Sequence, residues 1–230
     1  MEIAGLQKTT LLDYPGLVAC TIFLPGCNLR CPFCHNAPLV LPEYSPEVRI
    51  SDEELFRFLR RRQGKLDGVC ITGGEPTLYP DLPDMLYRIR ALGFRTKLDT
   101  NGTHPAVLRS LLDEALVDDV AMDIKNSPAR YADTCGGVDC LAAVRESVSL
   151  LLTGPVDYEF RTTVAHPLHT VRDFADIGRW LQGARHYYLQ QFQDSGHLIG
   201  AGLTPFTPEE MDAARQAAAP FIPHTTIRGL

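Results

Sequence analysis

The feature that most constrains the fold is a regular alternation of short, strand-like runs with longer amphipathic runs. Six segments have the length and apolar content of buried strands, namely residues 18–24, 68–71, 95–98, 119–122, 158–163 and 186–189. Five segments have helical periodicity, namely residues 52–62, 82–92, 105–114, 141–152 and 171–181. Strands that alternate with helices predict a parallel sheet with right-handed crossover connections.

The number of strand–helix units determines whether the sheet can close into a barrel. Six strand–helix units are too few for a closed eight-stranded barrel. We therefore predict an α/β fold, a partial (β/α)6 barrel in which outer helices cover a curved parallel sheet. Its functional site is expected at the C-terminal ends of the strands. Residues 1–230 are predicted to form a single domain, with a C-terminal extension from about 207 to 230 that adds a helix and a short strand at 221–227.

The net charge and the hydropathy of the chain limit the cellular location and the binding partners that we expect for it. The 22 Lys and Arg residues against 28 Asp and Glu residues give a net charge of −6, which argues against binding to nucleic acid or to an anionic membrane. No stretch approaches the roughly 20 apolar residues of a membrane helix, and the N-terminus lacks the basic region of a signal peptide. We expect a cytoplasmic protein with reduced thiols, so its seven cysteines call for a metal or redox explanation.

Three of these cysteines lie in one short segment, residues 26–36, which we call the cysteine loop. Cys27, Cys31 and Cys34 have the spacing C-x3-C-x2-C. Three thiolates on a compact loop can bind three irons of a [4Fe–4S] cluster and leave the fourth iron open. A structural zinc site is an alternative that needs a fourth ligand, such as His35. Covalent haem is another, because the segment also contains C-x-x-C-H.

Two motifs at predicted strand ends carry a resemblance to a known family. The cysteine loop, with an aromatic residue before its last cysteine, resembles the signature of radical S-adenosylmethionine (SAM) enzymes, and the sequence GGEP at 73–76 resembles their second motif. With DYPG at 13–16, the cysteine loop is similar to that of the glycyl-radical-activating branch, particularly the activators of anaerobic ribonucleoside-triphosphate reductase. The resemblance continues through DTNG at 99–102, MDIK at 122–125 and FRTTV at 160–164.

The resemblance implies the cofactors and the residues that hold them. One [4Fe–4S] cluster would be bound by Cys27, Cys31 and Cys34, with SAM on the open iron and no catalytic residue beyond the cluster and SAM. The residues expected to contact SAM follow the successive strands or lie in the cysteine loop: Phe33, Gly73, Gly74, Glu75, Asp99, Thr100, Asn101, Asp123, Lys125 and Arg161.

The resemblance, together with the chemistry of these groups, implies individual roles. Carbonyls at Gly73 and Gly74, with Glu75, would receive the ammonium of SAM, although Gly-Gly is also common in simple tight turns. Asp99 would accept a hydrogen bond from a ribose hydroxyl or from the ammonium, although a plain loop after a strand has similar composition. Lys125 and Arg161 would bind the methionine carboxylate; the alternatives are a surface ion pair and a structural salt bridge.

The function expected from the resemblance is the generation of a glycyl radical on a partner enzyme, namely an anaerobic ribonucleotide reductase, with flavodoxin or ferredoxin as electron donor. A pyruvate formate-lyase activase is disfavoured, because residues 189–192 read Leu-Gln-Gln-Phe where those enzymes carry Pro-Tyr-His near the last barrel strand. Two further alternatives are a radical SAM enzyme acting on a small molecule, of the 7-carboxy-7-deazaguanine synthase type, and a non-catalytic zinc module.

The other four cysteines are given no part in the chemistry. Cys20 and Cys70 fall within apolar strands and are interpreted as core residues. Cys135 and Cys140 flank a Gly-Gly pair, and two thiols are too few for a second cluster.

Overall fold

The computed structural model describes residues 2–41 and 49–230. Within them the chain forms two compact units. The first comprises residues 2–28, 38–41, 49–100 and 104–121, and the second comprises residues 29–37, 101–103 and 122–230.

The first unit is built on four consecutive strands: β1 (Gly5–Thr10), β2 (Ala19–Leu24), β3 (Gly68–Gly73) and β4 (Arg95–Thr100). β1 pairs with β2 in the antiparallel sense, whereas β2 with β3 and β3 with β4 are parallel. Leu24, the last residue of β2, lies opposite Gly73, the last residue of β3. The segments that follow these two strands therefore leave the sheet side by side.

The described residues of the first half of the chain form the α-helices α1 (Ala37–Val40), α2 (Asp52–Arg62), α3 (Leu82–Ala91) and α4 (Pro105–Asp113). α2 shows why these segments are helical, since it begins at a capping box and buries one face. Ser51 accepts a hydrogen bond from the Glu54 N–H, and the Glu54 carboxylate accepts one from the Ser51 N–H. Leu55, Phe56 and Leu59 form the buried face of α2.

The strand β5 (Asp119–Asp123) begins in the first unit and ends in the second. The second unit then contains β6 (Asp157–His166), β7 (Tyr187–Gln191), β8 (Thr204–Pro205) and β9 (Thr225–Arg228). β6 with β7 and β7 with β9 are parallel, and β8 pairs with β6 in the antiparallel sense. The α-helices of the second unit are α5 (Tyr131–Thr134), α6 (Leu141–Thr153), α7 (Val171–Trp180) and α8 (Pro208–Ala218).

The predicted α/β class with a mostly parallel sheet is confirmed. All six predicted strands and all five predicted helices are present within a few residues of their expected ends, and α8 and β9 form the expected extension. The strands β1 and β8 were not expected; β1 has the polar sequence GLQKTT and is largely exposed on one edge. The predicted strand at 221–227 is shifted, because residues 221–224 lie before β9. The single-domain assignment stays a prediction.

The described residues, 2–41 and 49–230, contain no helix that is both long enough and apolar enough to cross a membrane.

The contribution of the α2 capping box to stability can be tested by substitution. In a Ser51→Ala variant the Glu54 N–H loses its side-chain acceptor, and we expect the free energy of unfolding to fall by about 1 kcal/mol. Ser51→Thr keeps the hydroxyl and should retain wild-type stability. Urea unfolding followed by circular dichroism checks both variants, and an unchanged midpoint in Ser51→Ala would contradict the capping role.

Candidate functional site

In the first unit, the two predicted glycines lie against the segment that leads into Cys27. The Gly74 N–H donates to the Leu24 carbonyl at 2.8 Å, and the Glu75 N–H donates to the Gly26 carbonyl at 2.8 Å. Gly73 has a φ of +119°, and a Cβ there would overlap the backbone of Leu24. A Cβ at Gly74 would overlap the Gly26 carbonyl. Both positions therefore require glycine because two backbones approach closely.

Glu75 is fully buried and is held by hydroxyl groups. Its Oε1 accepts hydrogen bonds from the Thr77 N–H at 3.1 Å, from the Thr77 hydroxyl at 2.5 Å and from the Thr100 hydroxyl at 2.7 Å. The Thr77 hydroxyl also lies 3.1 Å from Nδ1 of His104. The structure thus joins Glu75 to Thr100, two predicted site residues that are 25 positions apart.

Asp99 lies beside a buried lysine that the sequence analysis did not single out. Lys97 is 1% exposed, and its Nζ donates to Oδ1 of Asp99 at 2.8 Å and to the Asp13 carbonyl at 2.7 Å. The two side chains are two positions apart on β4 and so share a face. The two-residue spacing of Lys97 and Asp99 on a predicted strand was the sequence signal that could have indicated this ion pair. The ammonium of Lys97 offsets the charge of Asp99 and ties the end of β4 to the DYPG segment.

In the second unit, the cysteine loop turns tightly between Cys31 and Cys34. The Cys34 N–H donates to the Cys31 carbonyl at 3.0 Å, and the Gly200 N–H donates to the Pro32 carbonyl at 2.8 Å. Cys31 is buried, whereas Cys34 is partly exposed. Cys27, also partly exposed, belongs to the first unit.

No three His, Cys, Asp or Glu side chains within residues 2–41 and 49–230 are arranged to hold a single metal ion. The assignment of Cys27, Cys31 and Cys34 as cluster ligands therefore stays a prediction from their spacing.

Asp123 joins the two predicted basic residues of the site, Lys125 and Arg161. Its Oδ2 accepts from Nζ of Lys125 at 2.9 Å, and its Oδ1 accepts from Nε of Arg161 at 3.0 Å. The Ile124 N–H donates to the Arg161 carbonyl at 2.7 Å, which fixes the backbone of β6 next to the segment after β5. The three side chains carry a net charge of +1, and both cations are only 14% exposed.

The ionisation of this triad follows from its geometry. Burial opposes the charge on Asp123, but Lys125 and Arg161 outweigh it and lower the pKa of Asp123 to about 2. Burial also opposes the charge on Lys125, but Asp123 and the Cys31 thiolate raise the pKa of Lys125 above its usual range. All three groups are therefore charged at neutral pH.

Cys31 has a second neighbour, Cys135, for which no role was predicted from the sequence. The thiol of Cys135 interacts with the thiols of Cys31 and Cys140. The Cys135 thiol lowers the pKa of Cys31; burial opposes this effect and Lys125 adds to it. The Arg30 N–H donates to the Cys135 carbonyl at 3.3 Å. Cys135 thus contacts the cysteine loop, and no sequence spacing pointed to this contact.

Phe33 and Asn101 complete the predicted set. Nζ of Lys125 lies 5.7 Å from the centroid of the Phe33 ring, within the range of a cation–π contact. Oδ1 of Asn101 accepts from the Thr103 N–H at 3.0 Å and from the Thr103 hydroxyl at 2.6 Å. Asn101 therefore shapes its own turn, and contact of either residue with SAM stays a prediction.

Comparison with known proteins agrees with these features. The profile of the radical SAM superfamily matches residues 21–181. A protein of Methanocaldococcus jannaschii, provisionally named a glycyl-radical enzyme activating enzyme, is 33% identical over 83% of this chain and 80% of its own length. A pyruvate formate-lyase-activating enzyme of Clostridium pasteurianum is 33% identical over 54% of this chain and 52% of its own length.

A solved structure shows the same fold. A domain of a pyruvate-formate lyase-activating enzyme from Bacteroides vulgatus superimposes with a TM-score of 0.58 at 16% identity, covering 70% of this chain and 99% of that domain. The chain belongs to the radical SAM superfamily. Within it, the chain belongs to the glycyl-radical-activating branch, and it is an enzyme of this kind.

The close approach at Gly74 can be tested directly. In Gly74→Ala the added methyl group would overlap the Gly26 carbonyl, next to Cys27, and we expect unfolding to require roughly 1–3 kcal/mol less free energy. Iron retention after reconstitution should fall as well, because the backbone before Cys27 must move.

Gly5→Ala is the matched control, since its Cβ would meet only ordinary contacts with Phe23 at 3.5 Å. Chemical denaturation and iron analysis of both variants make the comparison. Equal stability and equal iron content in the two variants would show that Gly74 is not constrained by Gly26.

Proposed function

We propose that the chain binds a [4Fe–4S] cluster through Cys27, Cys31 and Cys34, binds SAM beside it, and generates a glycyl radical on a partner enzyme. The observation that carries this proposal is the Asp123–Lys125–Arg161 triad, in which Nζ of Lys125 lies 5.7 Å from the centroid of the Phe33 ring in the cysteine loop and its charge acts on Cys31. It places an excess positive charge next to the cysteine loop. A ligand with a carboxylate and a thiolate-bound cluster both match that charge.

The donor set fits the cluster. The three thiols are free of disulfides, and the turn from Cys31 to Cys34 presents two of them from one short loop. Lys125 and the Cys135 thiol both favour the thiolate form of Cys31, the form that binds metal. When bound, a [4Fe–4S] cluster supplies the electron that cleaves SAM into methionine and a 5′-deoxyadenosyl radical.

The chain's own residues would bind and orient SAM. Lys125 and Arg161 would bind its carboxylate, because both are charged and both are directed by Asp123. The carbonyls near Gly73 and Gly74, beside the buried Glu75, would accept from its ammonium. Asp99, at the end of β4, would accept a hydrogen bond from a ribose hydroxyl or from the ammonium, and Thr100 would supply a further donor.

The relatives support the partner's class. The Methanocaldococcus jannaschii and Clostridium pasteurianum proteins bear the names of activators of glycyl radical enzymes. In our proposal the radical chemistry supplied by the cluster and SAM would remove a hydrogen atom from the Cα of a glycine in the partner and leave the glycyl radical there. The proposed partner is an anaerobic ribonucleoside-triphosphate reductase, and the proposed electron donor is a flavodoxin or ferredoxin in the cytoplasm.

The cluster assignment is tested by removing the thiols one at a time. Cys27→Ala, Cys31→Ala and Cys34→Ala should each lose bound iron and lose formation of 5′-deoxyadenosine from SAM under dithionite, because each removes one of three ligands. Cys20→Ala removes a fully buried thiol of the core and should keep both properties.

Iron analysis and chromatography of the nucleoside products measure these outcomes. Full product formation by any of the three loop variants would overturn the cluster assignment. A wild-type protein that takes up zinc and leaves SAM intact would favour a structural metal module.

The partner is tested with purified glycyl radical enzymes. The reduced, SAM-loaded protein should produce the doublet of a glycyl radical in electron paramagnetic resonance when mixed with anaerobic ribonucleoside-triphosphate reductase. A reductase whose radical-bearing glycine is replaced by alanine is the control and should stay silent.

Two outcomes would contradict the proposed partner. A radical formed on pyruvate formate-lyase but not on the reductase would identify a different partner of the same class. Conversion of a 7-deazaguanine precursor without a radical on either protein would identify a small-molecule enzyme.

A further inference from the structure

The Asp123 triad is part of a longer line of charges in the second unit. Arg161 faces a second carboxylate, Glu159, whose Oε1 lies 3.9 Å from its Nη1. Glu159 is in turn bound by Arg228, a residue of β9 near the C-terminus. From Lys125 to Arg228 the signs of the charges alternate, with three cations and two anions.

The distances show that Glu159 is bound by Arg228 rather than by Arg161. Nη1 of Arg228 donates to Oε1 at 3.0 Å, and Nη2 donates to Oε2 at 2.8 Å, so both carboxylate oxygens are engaged in a fork. The 3.9 Å separation from Arg161 is an ion pair but too long for a hydrogen bond.

Arg228 is itself held in place by two features. Its guanidinium carbon lies 3.2 Å from the centroid of the Tyr188 ring, a close cation–π contact. Its backbone is set by the parallel pairing of β9 with β7, in which Arg228 lies opposite Gln190. The guanidinium that receives Glu159 is therefore placed by the sheet pairing of its backbone and by its contact with the Tyr188 ring.

Glu159 and Arg161 are two positions apart on β6, so their side chains share one face. The side chain of Glu159 is 10% exposed, and a carboxylate so buried cannot be left without a cation at low cost. If Arg228 is removed, Arg161 is the cation that the described residues still place in an ion pair with Glu159. Arg161 would then close on Glu159 and turn away from the position it holds beside Asp123.

We propose that Arg228 is a positioning residue for SAM binding. By occupying both oxygens of Glu159, it prevents Glu159 from capturing Arg161 and keeps Arg161 and Lys125 directed at the carboxylate of SAM. This inference rests on the proposed function and adds to it a residue at the end of the chain.

The test compares two ligands of the cluster-loaded enzyme under anaerobic conditions. SAM carries the carboxylate, and decarboxylated S-adenosylmethionine lacks it. Equilibrium dialysis gives the dissociation constant of each. In Arg228→Gln we expect the affinity for SAM to fall about tenfold, because charge-assisted hydrogen bonds to the carboxylate are lost, while the affinity for the decarboxylated analogue stays unchanged.

A second substitution provides a rescue. In the double variant Glu159→Gln with Arg228→Gln, the neutral amide no longer attracts Arg161, and the affinity for SAM should return to that of the wild type. Glu159→Gln alone should also bind SAM normally. These variants keep the inference testable even if Arg228→Gln alone folds poorly, because a structural role of the ion pair predicts lost affinity in Glu159→Gln.

Arg185→Gln is the matched control. Arg185 pairs with Asp157, also on β6, at 3.3 Å and lies 5.5 Å from the centroid of the Tyr158 ring, so it has the same kinds of partner, a carboxylate and a ring, at an exposed position. Neither Asp157 nor Tyr158 is linked to Arg161 by a described ion pair, and the variant should bind both ligands as the wild type does.

The outcomes separate the inference from the proposed function. A wild-type enzyme that binds the two ligands equally well would refute carboxylate recognition and with it this part of the proposed function. A wild type that prefers SAM, together with an Arg228→Gln variant that keeps this preference, would refute only the role of Arg228. Equal weakening of both ligands in Arg228→Gln would show a merely structural role and would also overturn the inference.

Discussion

The arrangement of the second unit's site depends on one carboxylate, that of Asp123. It binds Lys125 on one oxygen and Arg161 on the other, and so it joins the end of β5 to β6. Because both cations are largely buried, the site needs this anion to keep them side by side. Lys125 in turn interacts with Cys31 and Phe33. The geometry of the cysteine loop and of the strand ends is therefore coupled through a single acidic group.

Much of this arrangement is readable in the sequence because it follows from local periodicity. The alternation of strands and helices predicts where each strand ends, and residues two apart at a strand end share a face. Asp123 and Lys125 are two positions apart at the end of β5 and so share a face, and the structure shows them as a hydrogen-bonded ion pair. The alternation also leads to Gly73 and Gly74, whose need for glycine the structure explains by the proximity of Leu24 and Gly26.

The contacts that the sequence did not reveal are those made by residues far apart in the chain. Cys135 reaches Cys31 because the segment after α5 hydrogen-bonds to Arg30, and no cysteine spacing encodes that approach. Arg228 reaches Glu159 only through the pairing of β9 with β7. In each case the sequence around the residue contains no motif that indicates its role. Its role arises from the register of distant strands and loops, which periodicity does not define.

The charge of the site differs from that of the chain. The protein carries a net charge of −6, yet the five groups from Lys125 to Arg228 sum to +1. At physiological ionic strength, charges are screened beyond roughly 8 Å, so the overall charge of the chain has little effect on a ligand already within the site. A ligand that carries both a carboxylate and positive charges gains binding free energy from such a site only when its carboxylate contacts Lys125 and Arg161 directly. Selectivity for it must therefore come from the placement of these two side chains, which is why their supporting carboxylates matter as much as the cations themselves.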